Sequence, residues 1–206
     1  KIFRTLLGTG EAKPPILGGL TQLTFFPGLV LAGPILGSPM AGMVLETLSR
    51  RGTRDFFSVG LCGSLQPDLV WGDLVLPRSA YCEEGVSQCY PLEGPPAPDP
   101  VFRGRIEGLL TRRNIKFKAG RVWTTDAPFR ETRDKISRHA ADGVLAVDME
   151  TSAVMTVARF RNLAWAGLMV VSDELWGEKR RPGFQSVELK QGLQTACEII
   201  LEAARL

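Results

Sequence analysis

The chain has 206 residues, of which 44% are hydrophobic and 23% are charged, and this is the composition of an ordinary globular protein. Its net charge is only +3, from 25 basic and 22 acidic residues, so composition excludes wholesale disorder and does not indicate nucleic-acid binding. A chain of this length can bury a full core, and we expect one domain over residues 1–206.

Strand and helix patterns alternate along the chain. Strands are predicted at residues 29–32, 56–59, 73–77, 144–147 and 164–171, which are mostly apolar, and at the strand-like residues 115–125. Helices with one apolar face are predicted from Ser38 to Gly52, after Asp99-Pro100, around residues 153–158 and from about residue 186 onwards. Residues 91–100 contain five prolines and are predicted to form a loop.

Most of the predicted strands are apolar and do not alternate with polar residues. Strands of this kind are buried on both faces, so the pattern predicts a three-layer α/β fold, with a central mixed β-sheet flanked by helices. Ligands in such folds bind where loops leave the carboxyl ends of the strands. The polar and glycine-containing segments at these ends are residues 60–63, 124–130, 148–150 and 172–174.

Membrane, export and metal signals are weak in this sequence. Its most apolar stretch, residues 25–37, is interrupted by two prolines, whereas a spanning helix needs about 20 apolar residues. We find no signal-peptide pattern and no CxxC spacing among the four cysteines, so we expect a cytoplasmic protein with reduced thiols and no membrane partner. His139 is the single histidine, which excludes a zinc site built on several histidines.

Asp148 and Glu150 leave one predicted strand and open a helix. Acidic residues at this position favour the positive end of the helix dipole, so capping alone is one interpretation and a binding site is the other. Asp173 ends a very apolar strand, where partial desolvation favours the protonated carboxyl and makes it a candidate proton donor. A turn or cap aspartate is the alternative for Asp173.

Glycines follow the strand predicted at residues 56–59. Gly60 and Gly63 would let the backbone approach a ligand and offer amide donors, but no GxGxxG or Walker lysine is present. The densest basic cluster, Lys179 to Arg181, stands beside a Pro-Gly and is predicted to be a solvated loop.

Several motifs, taken in order, resemble the nucleoside phosphorylase and nucleosidase superfamily, in the branch with the purine and uridine phosphorylases and the methylthioadenosine nucleosidases. The motifs are the glycine segment at 58–68, Gly-Asp-Leu-Val at 72–75, Glu-Glu-Gly at 83–85, Thr-Thr-Asp-Ala-Pro-Phe-Arg-Glu at 124–131, Asp-Met-Glu at 148–150 and Ser-Asp at 172–173. The resemblance implies an enzyme that cleaves the bond between a ribosyl carbon and a base nitrogen through an oxocarbenium-like transition state.

The resemblance also implies roles for individual residues. Glu150 matches the glutamate that accepts hydrogen bonds from the ribose hydroxyls, and Met149 matches the residue that packs on the sugar. Asp173 matches the general acid at N7 of a purine. Since uridine phosphorylases usually lack this aspartate, a purine-type nucleoside is expected.

Further residues of the matched segments are candidates for substrate binding. Phe129 is a candidate for stacking on the base, and Arg130 either donates to a base oxygen or is a surface charge. Cys62, Gly63 and Ser172 lie in the segments that match substrate-binding parts of the family.

The nucleophile is where this sequence departs from the phosphorylases of the family. They carry an arginine at the position of Ser58 and a serine or threonine at that of Leu61, and an arginine is the strongest phosphate anchor. Water is therefore favoured over phosphate, which stays open as a co-substrate, and no other cofactor is expected. Glu11 matches the nucleosidase glutamate that positions water, and a flexible N-terminal turn is the alternative.

The expected partner is a small-molecule nucleoside. Family members are dimers or hexamers, so the resemblance implies a homo-oligomer, for which the apolar stretch at residues 25–36 is a candidate interface. A non-catalytic nucleoside- or base-binding protein on the same scaffold is the alternative function. The presence of Glu150 and Asp173 favours catalysis, because a pure binder needs no proton donor.

Overall fold

The computed structural model describes residues 2–206, and the side chains of all of these except residues 4 and 18. The strands are β1 (Glu11–Ile16), β2 (Thr21–Phe26), β3 (Leu29–Gly33), β4 (Asp55–Ser64), β5 (Leu74–Glu83), β6 (Phe117–Thr125), β7 (Ala146–Asp148), β8 (Ala164–Glu174) and β9 (Arg181–Pro182). The helices are α1 (Ile2–Leu7), α2 (Ser38–Arg50), α3 (Gly85–Gln88), α4 (Pro100–Arg112), α5 (Arg133–Ala141), α6 (Thr151–Phe160) and α7 (Val187–Ala203), with short 3₁₀ turns at Leu17–Gly19 and Pro128–Arg130.

The central sheet is mixed and closes on itself. Strand β4 pairs parallel with β8 and antiparallel with β7, while β5 pairs parallel with β6 and antiparallel with β8. Strand β6 pairs parallel with β7, which completes a ring in the order β4-β8-β5-β6-β7, and β9 adds to β8. The predicted α/β fold with a mixed sheet flanked by helices is confirmed.

Strand β8 shows why the apolar runs predicted buried strands. Its alternate residues Ala166, Leu168 and Val170 pack with α4 and α7, whereas Trp165, Met169 and Val171 pack with α2 and α6. Both faces of β8 are therefore covered by helices, which leaves no position for a polar side chain until Ser172.

The helix boundaries follow the capping signals closely. Asp99 caps α4, since its Oδ1 accepts hydrogen bonds from the amides of Val101 and Phe102 at 2.9 Å. Helix α2 begins at Ser38 as predicted, although Gly37 occupies the cap position. Among the described helices, none combines the length and the apolar character that a membrane span requires.

The glycine segment is a strand and not a loop, which corrects the prediction that the strand ends at Gly60. Strand β4 continues to Ser64 because Gly60, Leu61 and Cys62 pair in register with residues 169–171 of β8. Residues 60–62 are therefore part of the sheet, although Gly60 and Leu61 remain exposed. The register shifts after Cys62, where β8 has one extra residue, Ser172, and such bulges are frequent beside active sites.

Residues 11–33 form a separate antiparallel sheet in the order β1-β2-β3. Sequence analysis identified only the last of these strands. The small sheet attaches to the main core through Ile16 and Leu23, which are buried in the same cluster as α2 and α6. Glu11 begins the edge strand β1, while residues 8–10 before it lie outside any helix or strand, so a turn at these three residues agrees with the alternative.

Candidate active site

Asp148 anchors the start of helix α6. Its Oδ1 accepts a hydrogen bond from Thr124 Oγ1 at 2.6 Å, and its Oδ2 accepts one from the Thr151 amide at 2.8 Å. Thr124 Oγ1 in turn accepts from the Ser152 amide at 2.9 Å. Burial raises the pKa of Asp148, and the hydrogen bonds from Thr124 and Thr151 oppose that rise. The capping interpretation is confirmed for Asp148.

Glu150 behaves differently, although it occupies the cap position of α6. Its side chain makes no capping hydrogen bond, so the capping interpretation is wrong for this residue. Instead its Oε1 accepts from the amide of Gly37, at 2.5 Å, just before α2. Burial, and then the charge of Asp148, raise the pKa of Glu150 to about 7. The carboxylate is thus held between two helix starts.

Met149 is held at the same junction between the starts of α2 and α6, by a second hydrogen bond. Its carbonyl oxygen accepts a hydrogen bond from Ser38 Oγ at 2.7 Å. The side chain of Met149 is half-buried, which leaves part of it accessible to a ligand. The Ser38-Pro39 start of α2 therefore positions the segment that the resemblance assigns to the sugar.

Asp173 is a buried strand residue with an arginine partner. It pairs with Pro182 of β9, so the turn or cap interpretation is wrong. Its Oδ2 accepts from Arg180 Nε at 2.7 Å, and Ser172 Oγ lies 2.7 Å from its Oδ1. The predicted burial is confirmed, since Asp173 is 2% exposed. The arginine, which sequence analysis did not predict, is the ion-pair partner of this buried carboxylate.

Cys62 and Gly63 lie in β4, close to Asp148 and Asp173. Burial, with smaller effects from the charges of Asp148 and Asp173, raises the pKa of the Cys62 thiol well above its ordinary value, so it is a neutral side chain. A Cβ on Gly63 would stand 2.2 Å from Leu175 Cδ1 and 3.2 Å from Asp173 Oδ2. Glycine is needed here because β8 approaches closely, not because a loop must contact a ligand.

Phe129 and Arg130 are exposed on the 3₁₀ turn that follows β6. Neither is packed against Asp173 or Glu150 in the described chain. The exposure of Arg130 favours the surface-charge alternative. Stacking of Phe129 on a base stays a prediction, and its fully exposed ring is open for such a contact.

Glu11 is not brought to the site. It lies on the edge strand β1 with a side chain that is 67% exposed, and it forms an ion pair with Lys13. Its neighbours across the sheet are in β2, so within the described residues nothing connects it to Glu150 or Asp173. The prediction that Glu11 positions water is not supported by this placement, because the match was short and ignored the sheet that forms around it.

Sequence analysis missed the residues on the solvent side of Asp173. A pocket of about 360 Å³ is lined by Pro128, Glu131, Arg133, Ile136, Leu175, Glu178 and Arg180. Lys179 to Arg181 are exposed, as predicted, but Arg181 belongs to β9, and two of the three also make ion pairs that the prediction did not include. Arg180 and Arg181 pair with Asp173 and Glu174, which are each 3% exposed at the side chain. Asp173 and Glu174 are consecutive acids at the end of a buried strand, and buried acids need cationic partners. The next basic pair in the sequence, Arg180 and Arg181, supplies them.

The sequence and the fold were compared with those of known proteins. The model of the phosphorylase superfamily matches residues 19–205, and the chain belongs to this superfamily of N-ribosyl-cleaving enzymes, as its motifs predicted. A guanosine phosphorylase of Halorubrum lacusprofundi is 28% identical over 180 residues, which cover 85% of this chain and 75% of that protein.

Two solved structures share the fold. A uridine phosphorylase from Vibrio fischeri superposes with a TM-score of 0.85 and 23% identity, covering 98% of this chain and 84% of the other. An AMP nucleosidase from Bacteroides thetaiotaomicron superposes with a TM-score of 0.79 and 22% identity, covering 99% and 84%.

Proposed function

We propose that this protein hydrolyses the bond between ribose and base in a purine nucleoside, with Glu150 at the sugar and Asp173 at the base. The proposal rests mainly on two carboxylates at one end of the closed sheet, in different environments. Glu150 is held by a backbone amide, and Asp173 is held by a serine and an arginine. Carboxylates in contrasting surroundings are typical of sites that divide binding and proton transfer between two groups.

The sugar is bound by Glu150 in this proposal. A carboxylate accepts hydrogen bonds from two neighbouring hydroxyls at once, and this fixes the orientation of the ribose. Asp148 and Asp126 add negative charge around Glu150, since both raise its pKa. Negative charge that is already in place stabilises the positive ribosyl group in the transition state.

The base leaves when Asp173 gives it a proton. The C1′–N9 bond breaks with its electron pair moving to the base, and the proton of Asp173 goes to N7. The oxygen of water forms the new bond to C1′, and the proton that water loses restores Asp173 over the cycle. Because a purine accepts a proton at N7, the buried aspartate supports a purine substrate, as does the relative named guanosine phosphorylase.

Water is the proposed acceptor because this chain has Ser58 and Leu61 at the two positions where the phosphorylases that it resembles carry an arginine and a serine or threonine. Ser58 lies in β4, opposite Gly167 of β8, and has no charge. Leu61 has an apolar side chain and is 40% exposed. The charges that act on Glu150 are acidic and would repel a dianion. Desolvating phosphate without a cation is costly, whereas a neutral water molecule is not affected in this way.

The experiment that tests the proposal is a panel of purine and pyrimidine nucleosides, incubated with and without phosphate. We expect release of free purine base at a rate that does not depend on phosphate. Release that requires phosphate would overturn the choice of water while leaving the cleavage intact. Absence of release from every nucleoside would instead favour the binding-protein alternative.

A further inference from the structure

Glu84 is a buried carboxylate that has no part in the mechanism proposed above. It directly follows β5, and only 3% of its surface is exposed. Its Oε1 accepts a hydrogen bond from Ser152 Oγ at 2.8 Å, and its Oε2 accepts one from the Ser87 amide at 3.0 Å. The contact with Ser87 caps the short helix α3, and both partners are neutral. Because a carboxylate is costly to bury beside neutral groups, capping of α3 alone does not account for the contact with Ser152.

Ser152 connects Glu84 to the start of helix α6, where Glu150 lies. Glu150 occupies the cap position, two residues before Ser152. The amide of Ser152 donates to Thr124 Oγ1 at 2.9 Å, and Thr124 Oγ1 donates to Asp148 Oδ1 at 2.6 Å. The first turn of α6 is therefore held from two sides, by Asp148 through Thr124 and by Glu84 through the Ser152 hydroxyl.

The segment that begins at Glu84 lies along α6 and packs against the same core as α2. Ser87 Oγ lies 2.9 Å from Thr156 Oγ1, which is about one helical turn beyond the first contact with α6. Val86 packs against the core cluster that contains buried residues of both α2 and α6. These are the two helices whose starts hold Glu150, so this segment is placed to fix them relative to each other.

The same segment also holds a second acidic group of the candidate site. The amide of Gly85, the residue after Glu84, donates to Asp126 Oδ2 at 2.9 Å. Asp126 follows β6, and its charge is one of those that raise the pKa of Glu150. Two neighbouring residues after β5 are thus bonded to the helix start that carries Glu150 and to a carboxylate that acts on it.

We propose that Glu84 is a positioning residue, which aligns the carboxylate of Glu150 with the ribose hydroxyls by holding the first turn of α6 through Ser152. The inference rests on the proposed function, in which Glu150 binds the sugar. Since Glu84 is buried, it acts through this turn and not by touching the substrate. Misplacement of a binding group by about 1 Å lowers enzymatic rates by up to ~10²-fold, so the alignment has a measurable effect.

A misplaced Glu150 should affect only substrates that offer it hydroxyl groups. Guanosine carries the 2′ and 3′ hydroxyls, whereas 2′,3′-dideoxyguanosine carries neither. We expect Glu84→Ala to reduce kcat/KM for guanosine about 100-fold and to reduce it much less for the dideoxy compound. A purely structural role would lower the amount of folded enzyme, which reduces the cleavage of both substrates by the same factor. Equal losses on the two substrates would therefore overturn the inference.

The conservative variant Glu84→Gln separates the hydrogen bonds of this residue from its charge. The amide oxygen of glutamine accepts from the Ser87 amide, and its NH₂ group donates to Ser152 Oγ, because a hydroxyl also accepts. We expect Glu84→Gln to retain most of the activity on guanosine that Glu84→Ala loses. A loss as large as that of Glu84→Ala would contradict positioning through these contacts.

Glu46→Ala is the matched control from the other end of α6. Glu46 Oε1 accepts from Arg161 Nε at 2.8 Å, where α6 ends, and from Tyr90 Oη at 3.0 Å. This variant therefore also removes a carboxylate that binds α6, but far along the helix from Glu150. We expect it to leave the ratio of kcat/KM between guanosine and 2′,3′-dideoxyguanosine unchanged. A shift in this ratio as large as that of Glu84→Ala would overturn the inference.

A double variant tests whether Glu84 acts through Glu150. Values of kcat/KM for guanosine are measured for the wild type, Glu84→Ala, Glu150→Gln and the double variant. Residues that act through one another give non-additive effects. We expect Glu84→Ala to cause little further loss once Glu150 has been replaced. Losses that multiply independently would show that Glu84 acts elsewhere, and would overturn the inference.

The same substrate pair separates this inference from the proposed function. If the wild type cleaves neither nucleoside, their affinities are measured by calorimetry. A preference for guanosine that requires both Glu84 and Glu150, in a protein without turnover, would sustain the positioning and defeat the catalytic function. Cleavage in which Glu150→Gln removes the preference for guanosine, while Glu84→Ala leaves it intact, would sustain the function and overturn the positioning.

Discussion

Arg180 Nε donates to Asp173 Oδ2 at 2.7 Å, and this contact joins a half-exposed cation to a carboxylate that is 3% exposed. The pair forms the boundary between the closed sheet and solvent. Removing either partner would leave an unpaired charge, and for Asp173 that charge would be buried. A ligand that separated the two side chains would have to replace this contact with equivalent hydrogen bonds.

Replacing Asp173 by Asn should greatly reduce purine cleavage. Asparagine has nearly the same shape but cannot transfer a proton to N7, and general acids contribute ~10²–10⁴-fold to rates. The measurement is kcat for guanosine alongside a ribosyl substrate with a p-nitrophenol leaving group, which needs no protonation. We expect the second substrate to be cleaved almost normally, and an equal loss on both would show that Asp173 is not the acid.

Replacing Glu150 by Gln should reduce the cleavage of all nucleosides, because the amide replaces one acceptor by a donor and removes the charge near the ribosyl cation. The expected loss is ~3–4 kcal/mol in the transition state, the range for one preorganised electrostatic group. Values of kcat/KM for ribosides and 2′-deoxyribosides, compared between wild type and variant, would measure this loss. If Glu150→Gln cleaved nucleosides at the wild-type rate, Glu150 would not be part of the active site.

The raised pKa values of Glu131 and Glu150 also predict how stability depends on pH. Glu131 and Glu150 are raised from 4.5 to about 7 in the folded protein, so between these pH values the folded state binds more protons than the unfolded state. The free energy of unfolding should therefore decrease as the pH rises from about 4.5 to 7. Denaturant titrations of the wild type and of each Glu→Gln variant measure the slope, which should become less steep in both variants.

Gly63 offers a sharp test of the close approach between β4 and β8. Alanine there would place a Cβ 2.2 Å from Leu175 Cδ1, whereas the same change at Gly60 meets no atom within 4 Å. We expect Gly63→Ala to lower the midpoint of denaturant unfolding and to impair catalysis, since Leu175 and Asp173 must shift. Gly60→Ala is the control and should leave both properties close to normal. Equal effects of the two changes would contradict this description of the site.

A buried carboxylate next to helix α6 gives a further prediction about stability. Glu84 is 3% exposed, its Oε1 accepts from Ser152 Oγ at 2.8 Å, and its Oε2 accepts from the Ser87 amide at 3.0 Å. Ser152→Ala leaves an acceptor unsatisfied and should cost about 1–3 kcal/mol of unfolding free energy. Ser49→Ala on helix α2 is the control, since Ser49 bonds only the preceding turn at the surface. A similar cost for both variants would show that the buried contact adds nothing.

The layered fold was predictable because burial on both faces leaves a local signature. The apolar run in β8, and the caps at Asp99 and Ser186, depend on residues that are close in sequence. The closure of the sheet was not predictable in this way. It depends on the pairing of Gly63 with Val147 and of Leu74 with Val170, and no local pattern encodes such distant partners.

The candidate site was predicted only in part, because local patterns indicate strand ends but not the contacts between distant segments. Asp148, Glu150 and Asp173 end strands, so their position at one edge followed from the alternation of strands and helices. Arg180 reaches Asp173 only because the chain turns back into β9, and Glu131 joins them through the pocket. These contacts depend on how loops fold back on the sheet, which the pattern of apolar residues does not encode.

The central claim is that water accepts the ribosyl group, and identification of the sugar product tests it most directly. Purified protein is incubated with guanosine in phosphate buffer, and the sugar product is identified by phosphorus NMR together with a reducing-sugar assay. Our account predicts free ribose in an amount equal to the guanine released, with no ribose 1-phosphate, because Ser58 and Leu61 provide no anchor for phosphate. Ribose 1-phosphate as the main product would contradict it.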